Sequence, residues 1–430
     1  MPLAIAFANA DRRVYGVDVD ARKVALLNAG TSYIADVPSQ AVANAIAAGR
    51  FAATTDYDAL RKCDAIFICV PTPFDAMRAP DLSFIISAAE SISPRLSHGH
   101  LVILQSTTFP GTTQEIVQPI LERSGLKAGA DFDLAFSPER IDPGRTDWTV
   151  TNTPKVVGGV TPESTQRASA LLSALGAPTH CVSSPRVAEM SKLLENIYRS
   201  VNIALVNELA LMCERMNIDI WEVIHAASTK PFGFTPFTPG AGVGGHCIGV
   251  DPYYLSWKAR EFDFHTKFIE LAAEVNQSMP FHVVDLIEHA LDRTHVSLRD
   301  ATVLVLGVAF KRDVDDARNS PAERVIELLL QRGARVLYHD PYIPVFEVGG
   351  NVFYRKPTKL LSQPLGEETL RKAHCAVIVT GHRGVDYGFV VRNVPVVVDC
   401  CNATAGVSGD KRHVVRLGAP LARDDASEPQ

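Results

Sequence analysis

Short, continuous apolar runs that end in polar residues constrain the fold of this chain most strongly. The runs at 65–70, 101–104 and 303–306 contain β-branched side chains and are bounded by turn residues. Continuous rather than alternating apolar character is typical of strands that are buried on both faces of a parallel sheet. Helical segments separate the runs, so the sequence predicts an α/β fold.

The order of the predicted elements divides the chain into three regions. Predicted strands of the first region lie at 14–19, 64–70, 100–105 and 134–136. The middle is helical, with predicted helices at 188–215, 221–228 and 268–292. A second α/β region follows, with a helix at 321–331 and strands at 301–306, 335–339, 374–380 and 395–399. We therefore predict two Rossmann-like, doubly wound parallel-sheet domains joined by a central helical region. The predicted boundaries are 1–184, 185–295 and 296–416, with a disordered tail at 417–430.

Composition excludes several classes of protein. The chain has 430 residues, of which 47% are hydrophobic and 21% charged, as expected for a globular protein of several domains. A net charge of −6 argues against nucleic acid as a partner. No apolar run approaches the length of a membrane span, and no signal peptide is visible. The eight cysteines lack metal-ligand spacing, so we expect free thiols, no metal and a cytoplasmic location.

A weak internal repeat links the two α/β regions. Residues 7–20 and 330–341 each run from a helix end through a strand to an aspartate, Asp18 or Asp340. In a nucleotide-binding unit such a carboxylate accepts hydrogen bonds from a ribose. The unit also needs a preceding strand and a Gly-x-Gly-x-x-Gly turn, and Met1 falls where the first helix begins. Either the full protein has roughly a dozen more residues, which we favour because the rest is intact, or the chain is a degenerate copy.

A glycine-rich loop ends in a single thiol. Residues 239–247 read Pro-Gly-Ala-Gly-Val-Gly-Gly-His-Cys, so that the glycines lead directly into His246 and Cys247. Glycines let the backbone approach a ligand closely, and the thiol at the end of such a loop is placed to attack it. The alternative is a flexible turn beside a structural cysteine, but prolines and aromatic residues nearby argue against a linker. Adjacent side chains diverge, so we interpret His246 as structural.

Polar residues recur at helical spacing on the long predicted helix. Lys192, Asn196 and Arg199 lie at i, i+4 and i+7, and so on one face. Such a stripe is commonly solvated surface. Beside a thiol loop it can instead supply donors, since an amine can shuttle a proton from a reacting hydroxyl or lower the pKa of a thiol.

Other candidates follow predicted strands. Glu139 stands where a general base would, although a surface glutamate is the simpler interpretation. Thr72 and Thr107 can contact a cofactor or cap a helix. Lys311 follows a strand-end glycine, and Arg318 precedes Ser-Pro, a pair that suits a helix start.

Together these motifs resemble the nucleotide-sugar 6-dehydrogenases, the UDP-glucose/GDP-mannose dehydrogenase family, over nearly the whole chain. The supporting segments are 106–113, 137–144, 251–261 and 307–321. The UDP-N-acetylglucosamine 6-dehydrogenase branch is the most similar. The resemblance implies NAD-linked oxidation of a sugar C6 alcohol to a carboxylate in two hydride transfers. Cys247 would hold the intermediate as a thiohemiacetal and then a thioester, which water releases.

The resemblance also implies roles for individual residues. Lys192 matches the acid/base lysine, and Glu139 the glutamate linked to thioester hydrolysis; Asn196 and Asp251 join Cys247 among the catalytic positions. Asp18, Thr72 and Thr107 match NAD contacts. The positions that match substrate contacts are Arg140, Arg199, Gly244, Phe310, Lys311 and Arg318. The family further implies a homodimer or larger homo-oligomer with the central helices at the interface.

Three departures from the family pattern stand out. The glycine fingerprint is missing, which bears on NAD binding. Cys401 stands where the family has a substrate-contacting arginine, and Gly249 replaces a proline after His-Cys-Ile. The proline would stiffen the loop that carries the thiol.

We expect an active UDP-N-acetylhexosamine 6-dehydrogenase that acts on UDP-N-acetylglucosamine for polysaccharide precursor synthesis. UDP-glucose is the alternative substrate. A truncated, non-catalytic relic that binds a UDP-sugar or a partner is the alternative from another class. A thiol hydrolase is the weakest hypothesis, because Cys247 lacks a convincing histidine partner. We expect neither a nucleic-acid nor a membrane partner.

Overall fold

The structure is a computed structural model that describes residues 1–34, 36–74, 79–142, 144–145, 147–245, 248–249 and 251–421. The chain divides into two compact units. The first unit comprises residues 1–196 and 250–265, and the second comprises residues 197–249 and 266–430. The predicted division into three domains is a different partition and stays a prediction.

Strands and helices are interspersed along the chain, as expected for an α/β fold, with a run of helices in the middle. The strands are β1 (Val14–Val17), β2 (Phe51–Thr54), β3 (Ala65–Ile68), β4 (Leu101–Leu104), β5 (Asp133–Phe136), β6 (Lys155–Gly159), β7 (Thr179–Cys181), β8 (Thr302–Leu306), β9 (Arg335–His339), β10 (Val345–Val348), β11 (Thr358–Leu361), β12 (Cys375–Ile378), β13 (Val396–Asp399) and β14 (Val414–Arg416). The helices are α1 (Pro2–Asn9), α2 (Ala21–Asn28), α3 (Ser39–Ala47), α4 (Ser83–Ile92), α5 (Gln118–Leu121), α6 (Pro162–Ser173), α7 (Pro185–Arg215), α8 (Ile220–Ala227), α9 (Asp251–Ala259), α10 (Lys267–Asp292), α11 (Pro321–Gln331), α12 (Glu367–Lys372) and α13 (Tyr387–Asn393).

The first unit contains two separate sheets. Strands β1 and β2 pair in parallel, and a five-stranded sheet has the order β3-β4-β5-β6-β7. Strand β4 is buried along its whole length, as its continuous apolar sequence predicts. The pairing of β5 with β6 is antiparallel, which the prediction of a purely parallel sheet did not include.

Helix α1 packs against both sheets of the first unit. Leu3 and Phe7 belong to an apolar cluster with residues of β4, whereas Ile5 belongs to a second cluster with Phe51 of β2. Among the described residues no strand precedes α1. The helix therefore contributes to two apolar clusters, and the parallel pair β1–β2 is not continuous with the larger sheet.

The second unit is built on a parallel sheet of order β14-β13-β12-β8-β9. Strand β8 continues to β9 on one side, and the chain later returns to β12 on the other, so the β8–β12 boundary is a topological switch point. Helices α10 and α11 pack against the sheet through residues such as Val284, Ile287 and Ile326, which are fully buried. The chain thus has two Rossmann-like parts, and the predicted fold class is confirmed.

Most predicted elements lie within one to three residues of the observed ones. Helix α11 and strand β9 have the predicted bounds. Ser320 caps α11 by accepting the N–H of Ala322, and Pro321 occupies the first helical position, as the Ser-Pro pair predicts. The antiparallel β10–β11 pair was not predicted, because neither short strand is a continuous buried run: β10 alternates exposed and buried residues, and β11 contains no buried residue.

The C-terminal segment is ordered further than predicted. Leu417 is fully buried, and its carbonyl accepts the indole N–H of Trp221 at 2.8 Å. The N–H of Gly418 donates to Glu214, and Ala419 is also buried. The expected disordered tail therefore does not begin at 417. Apolar contacts with the α8 region hold these residues, and residues 422–430 lie outside the described part.

Among the described residues, no helix combines the length and apolar character that a membrane crossing requires.

Candidate active site

Lys192 and Asn196 lie one turn apart on α7 and are buried in the first unit. Their exposed fractions are 8% and 4%, so the interpretation of this part of the stripe as solvated surface is wrong. The Asn196 amide donates to the Asp251 carboxylate at the start of α9, with 2.5 Å between Nδ2 and Oδ2. The spacing on the helix and the short contact bring three predicted catalytic residues into one cluster.

The Asp251 carboxyl of this cluster has a raised pKa and therefore keeps its proton to a higher pH than an ordinary aspartate. Burial raises the pKa of Asp251 to about 7, although the Lys192 charge and the Asn196 hydrogen bond each oppose the shift. Lys192 is therefore close enough to act on Asp251 electrostatically. A buried carboxyl that titrates near neutral pH is a group suited to proton transfer.

Glu139 follows β5 and its carboxylate is held from several sides. Its Oε1 accepts the backbone N–H groups of Arg140 and Ile141 at 2.8 and 3.0 Å, and its Oε2 accepts the Gln105 amide at 3.3 Å. The side chain is 36% exposed. The Glu139 carboxylate is thus oriented by the protein and also accessible to water. A glutamate on the free surface would be accessible but not oriented.

Arg140 is engaged within the first unit. It donates to the Pro154 carbonyl at 2.9 Å and pairs with Glu195 at 2.6 Å. The predicted role of Arg140 in substrate binding therefore requires that it exchange or share these partners.

The predicted cofactor residues lie at the carboxyl ends of strands. Asp18 follows β1, accepts the N–H of Asp20 and faces Lys23 at 3.7 Å, with about a third of its side chain exposed. Thr72 is buried, and its carbonyl accepts the Tyr254 hydroxyl, while Thr107 is half-buried. Neither threonine caps a described helix, so that alternative is wrong.

Asp18 fits the ribose of NAD. Its accessible carboxylate after a parallel strand suits a ribose. The described residues begin at the start of α1 and do not include the expected glycine turn that would approach a pyrophosphate.

The glycine-rich loop of the second unit packs on the segment after β8. A Cβ added to Gly244 would lie 2.8 Å from Pro321, 2.9 Å from the Asn319 carbonyl and 3.0 Å from Phe310. The Gly245 N–H donates to the Arg318 carbonyl at 3.2 Å. The structure thus brings three predicted substrate residues together, and only glycine fits at position 244.

The remaining predicted residues differ in their surroundings. The Arg318 side chain is mostly exposed and pairs with Asp316 at 2.6 Å. Lys311 and Arg199 are half-buried. His246 and Cys247 lie outside the described residues.

Two buried polar groups were not predicted. Asn207 donates to Asn276 at 2.9 Å and accepts the N–H of Gly240 at 3.0 Å, which anchors the start of the glycine loop. Glu189 accepts the backbone N–H groups of Gly111 and Thr113. Burial raises the pKa of Glu189 to about 7, in part offset by these hydrogen bonds. Glu189 lies one helical turn before Lys192, and this spacing could have indicated Glu189 from the sequence.

Three models of one family match successive parts of the chain. Residues 1–175 match the NAD binding domain of the UDP-glucose/GDP-mannose dehydrogenase family, residues 186–278 its central domain and residues 304–406 its UDP binding domain. These matches coincide with the two nucleotide-type regions and the helical middle.

Individual relatives agree with the family models. The UDP-N-acetyl-D-glucosamine 6-dehydrogenase of Pseudomonas aeruginosa is 38% identical over 345 residues, which is 80% of each chain. The UDP-N-acetyl-D-mannosamine dehydrogenase of Escherichia coli K12 is 35% identical over 395 residues, 89% of this chain and 91% of that protein. The solved structure of the UDP-D-ManNAc dehydrogenase of Pyrococcus horikoshii superposes with a TM-score of 0.86 at 29% identity, covering 98% of this chain and 97% of that one.

The chain belongs to the UDP-glucose/GDP-mannose dehydrogenase family. It is an NAD-dependent nucleotide-sugar dehydrogenase that acts on a UDP-sugar. The resemblance inferred from the sequence motifs is confirmed.

The raised pKa of Asp251 predicts how stability depends on pH. The folded state holds this proton up to about pH 7, whereas an aspartate in the unfolded chain releases it near its ordinary pKa of 3.8. The free energy of unfolding therefore falls as pH rises between these values, by at most about 1.4 kcal/mol per pH unit from this group. We expect Asp251→Asn, which keeps an acceptor for Asn196, to flatten the pH dependence of urea unfolding between pH 5 and 7.

The exposed Asp263 provides the control for this prediction. Asp263→Asn should leave the slope unchanged. An unchanged slope in Asp251→Asn would show that Asp251 is ionised in the folded protein throughout this range.

Gly244 and Gly249 allow a matched test of loop packing. The Cβ of Gly244→Ala would overlap Pro321, Asn319 and Phe310, and such overpacking costs about 1–3 kcal/mol. A Cβ at Gly249 meets none of the described atoms closer than 3.5 Å, so Gly249→Ala should keep or slightly raise the melting temperature. Thermal unfolding measures both. Equal melting temperatures would contradict the close packing of the loop.

Proposed function

We propose that the protein oxidises the C6 alcohol of UDP-N-acetylglucosamine to the uronic acid through a covalent intermediate on Cys247. The buried cluster of Lys192, Asn196 and Asp251 carries the proposal, because it offers a proton-transfer site only four positions along the chain from the thiol. The 38% identity to a UDP-N-acetyl-D-glucosamine 6-dehydrogenase supports this choice of substrate.

The proposed reaction removes four electrons from the sugar. The C6–H bond breaks as a hydride and the hydroxyl proton passes to a base, which leaves an aldehyde. The Cys247 sulfur adds to this aldehyde, and loss of a second hydride from C6 converts the thiohemiacetal to a thioester. Water then attacks the thioester carbon and the thiolate leaves. One alcohol, two NAD⁺ and one water thus give one carboxylate, two NADH and three protons.

Each step has a candidate among the polar residues of the first unit. Lys192 is the candidate to take the hydroxyl proton, and the hydrogen-bonded pair of Asn196 and Asp251 is the candidate to accept or return protons. Glu139, oriented and partly open to water, is the candidate base for hydrolysis. The thiol must remain reduced, which fits a cytosolic location.

NAD, when bound, accepts the hydrides. Asp18 would hold its ribose, and Thr72 and Thr107 stand at strand ends where the rest of the cofactor would pass.

Candidate substrate contacts are Arg140, Arg199, Lys311 and Arg318, together with Phe310 and the glycine loop. Cationic side chains suit a diphosphate, and the close packing at Gly244 suits recognition by the backbone. UDP-glucose is the alternative substrate, and UDP-N-acetylmannosamine is named for several relatives. Such a product would serve polysaccharide precursor synthesis.

The test is the amount of NADH formed per sugar by the purified chain with NAD. We expect two NADH per UDP-N-acetylglucosamine, and a higher kcat/KM for this substrate than for UDP-N-acetylmannosamine or UDP-glucose measured side by side. Cys247→Ala should abolish uronate formation, whereas Cys181→Ala, at an exposed strand, should not. One NADH per sugar, or full uronate production by Cys247→Ala, would contradict the covalent four-electron route. Inactivity of the unsubstituted chain would favour the non-catalytic alternative.

We further propose that α7 forms a contact between copies of this chain. Tyr198, Leu205 and Met212 recur at intervals of seven residues on α7 and are 48%, 52% and 46% exposed. An apolar row at this spacing is typical of a helix that packs against another helix. A second copy presenting the same face would bury it in a two-fold dimer.

Substitution within this row should separate the copies. We expect the unsubstituted chain to have a mass by light scattering that is a multiple of 46.7 kDa, and Leu205→Lys to shift it toward the monomer. Val352→Lys, at a fully exposed valine, should have no effect. A monomeric parent chain, or an unchanged assembly in Leu205→Lys, would rule out this interface.

A further inference from the structure

Lys155 is a buried ammonium that the proposed reaction leaves without a role. It is the first residue of β6, its side chain is fully buried, and its Nζ makes no hydrogen bond to any described residue. Burial of an unpaired charge is expensive, so a lysine in this position calls for a compensating anion.

Glu139 is that anion. The Lys155 Nζ lies 3.6 Å from Glu139 Oε1, which is an ionic contact although too long for a hydrogen bond. Oε1 also receives the two backbone N–H groups of Arg140 and Ile141. The two backbone donors and the Lys155 ammonium thus converge on one oxygen. Among the described residues, Oε2 has only the 3.3 Å contact to Gln105.

Other charges around Glu139 are weaker candidates for this task. The Arg140 guanidinium is paired with Glu195. The α-amino group of Met1 and the Cys69 thiol interact electrostatically with each other and with Glu139. The Cys69 thiol donates its hydrogen bond to Gln105. Among the described residues, Lys155 is the cation that forms a direct ion pair with Glu139.

We infer that Lys155 is a positioning residue for the hydrolytic step. Its ammonium holds Oε1 of an ionised Glu139 inward, so that Oε2 faces the water that attacks the thioester. This inference rests on the proposed function, because it assigns the hydrolysis to Glu139. It predicts that loss of the charge slows release of the acid without slowing the first hydride transfer.

The experiment compares Lys155→Met, which removes the charge, with Lys155→Arg, which keeps it. In rapid-mixing measurements with NAD and UDP-N-acetylglucosamine, we expect Lys155→Met to keep the rate of the first NADH but to slow steady turnover about tenfold or more. Mass spectrometry of the quenched enzyme should show the acyl adduct accumulating on Cys247. The pH at which the rate of hydrolysis is half-maximal, on the acidic side of its profile, should be higher in Lys155→Met than in the parent. Lys155→Arg should largely restore this pH and the low level of acyl-enzyme.

A purely structural role would give another pattern. If Lys155→Met lowers the melting temperature while its pH profile and its level of acyl-enzyme match the parent, the inference is overturned. If Lys155→Met fails to fold, Lys155→Arg and Glu139→Gln decide. The inference is supported if Glu139→Gln accumulates acyl-enzyme while Lys155→Arg hydrolyses it at the normal rate. It is overturned if Lys155→Arg hydrolyses the acyl-enzyme slowly while Glu139→Gln does not.

An inactive parent chain would point to failure of the proposed function rather than of the ion pair. Urea unfolding of Lys155→Met, Glu139→Gln and the double variant then tests the pair without turnover. Additive effects would overturn the inference, because two charges in contact must couple. Coupling would support the ionised pair on which the inference depends.

Discussion

Burial of a carboxyl beside an amide and an ammonium is the constraint on which the candidate site depends. The first turn of α9 and the middle of α7 must pack closely enough for Asn196 to reach Asp251 at 2.5 Å. Burial raises the pKa of Asp251 to about 7, so the cluster gains little stability from a full ion pair at neutral pH. Such an arrangement is costly for a scaffold but useful for a site that must move protons.

The same strategy recurs in the second unit, where a buried Asp340 organises the segment after β8. Its carboxylate accepts the N–H groups of Val308 and Ala309 and contacts His382 Nε2 at 3.1 Å. Burial alone would raise the pKa of Asp340, but these hydrogen bonds lower it overall. Asp340 therefore orients the backbone that leads to Phe310, rather than remaining available to a ribose as the internal repeat suggested.

The sequence was most informative where one local rule dominated. Ser320 and Pro321 predicted the start of α11, and continuous apolar runs predicted β4 and β8, because capping and burial act over a few residues. The i, i+4 spacing placed Lys192 and Asn196 on one face of α7. It could not show that this face was buried, since burial depends on α9, which lies more than fifty residues further along the chain.

Long-range polar contacts were the least predictable part. The Lys155–Glu139 pair joins a strand start to a loop, and no spacing rule connects the two positions. The antiparallel step from β5 to β6 was missed for the same reason, because a continuous apolar strand has no direction in its sequence. Pairing direction depends on the connection between strands, and the connection here carries Glu139 and the two backbone N–H groups that it accepts.

The departure at Cys401 shows how local geometry can alter the meaning of a substitution. A Cβ placed on Gly381 would lie 3.1 Å from the Cys401 sulfur and 3.3 Å from a terminal nitrogen of Arg312. A guanidinium therefore lies within a few ångströms of the thiol that replaces an arginine of the family pattern. The sequence at position 401 indicates the loss of a positive charge. The Arg312 guanidinium near Gly381 nevertheless supplies a positive charge in the same place. The positive charge at this strand end is thus a property of the loop after β8 as well as of β13.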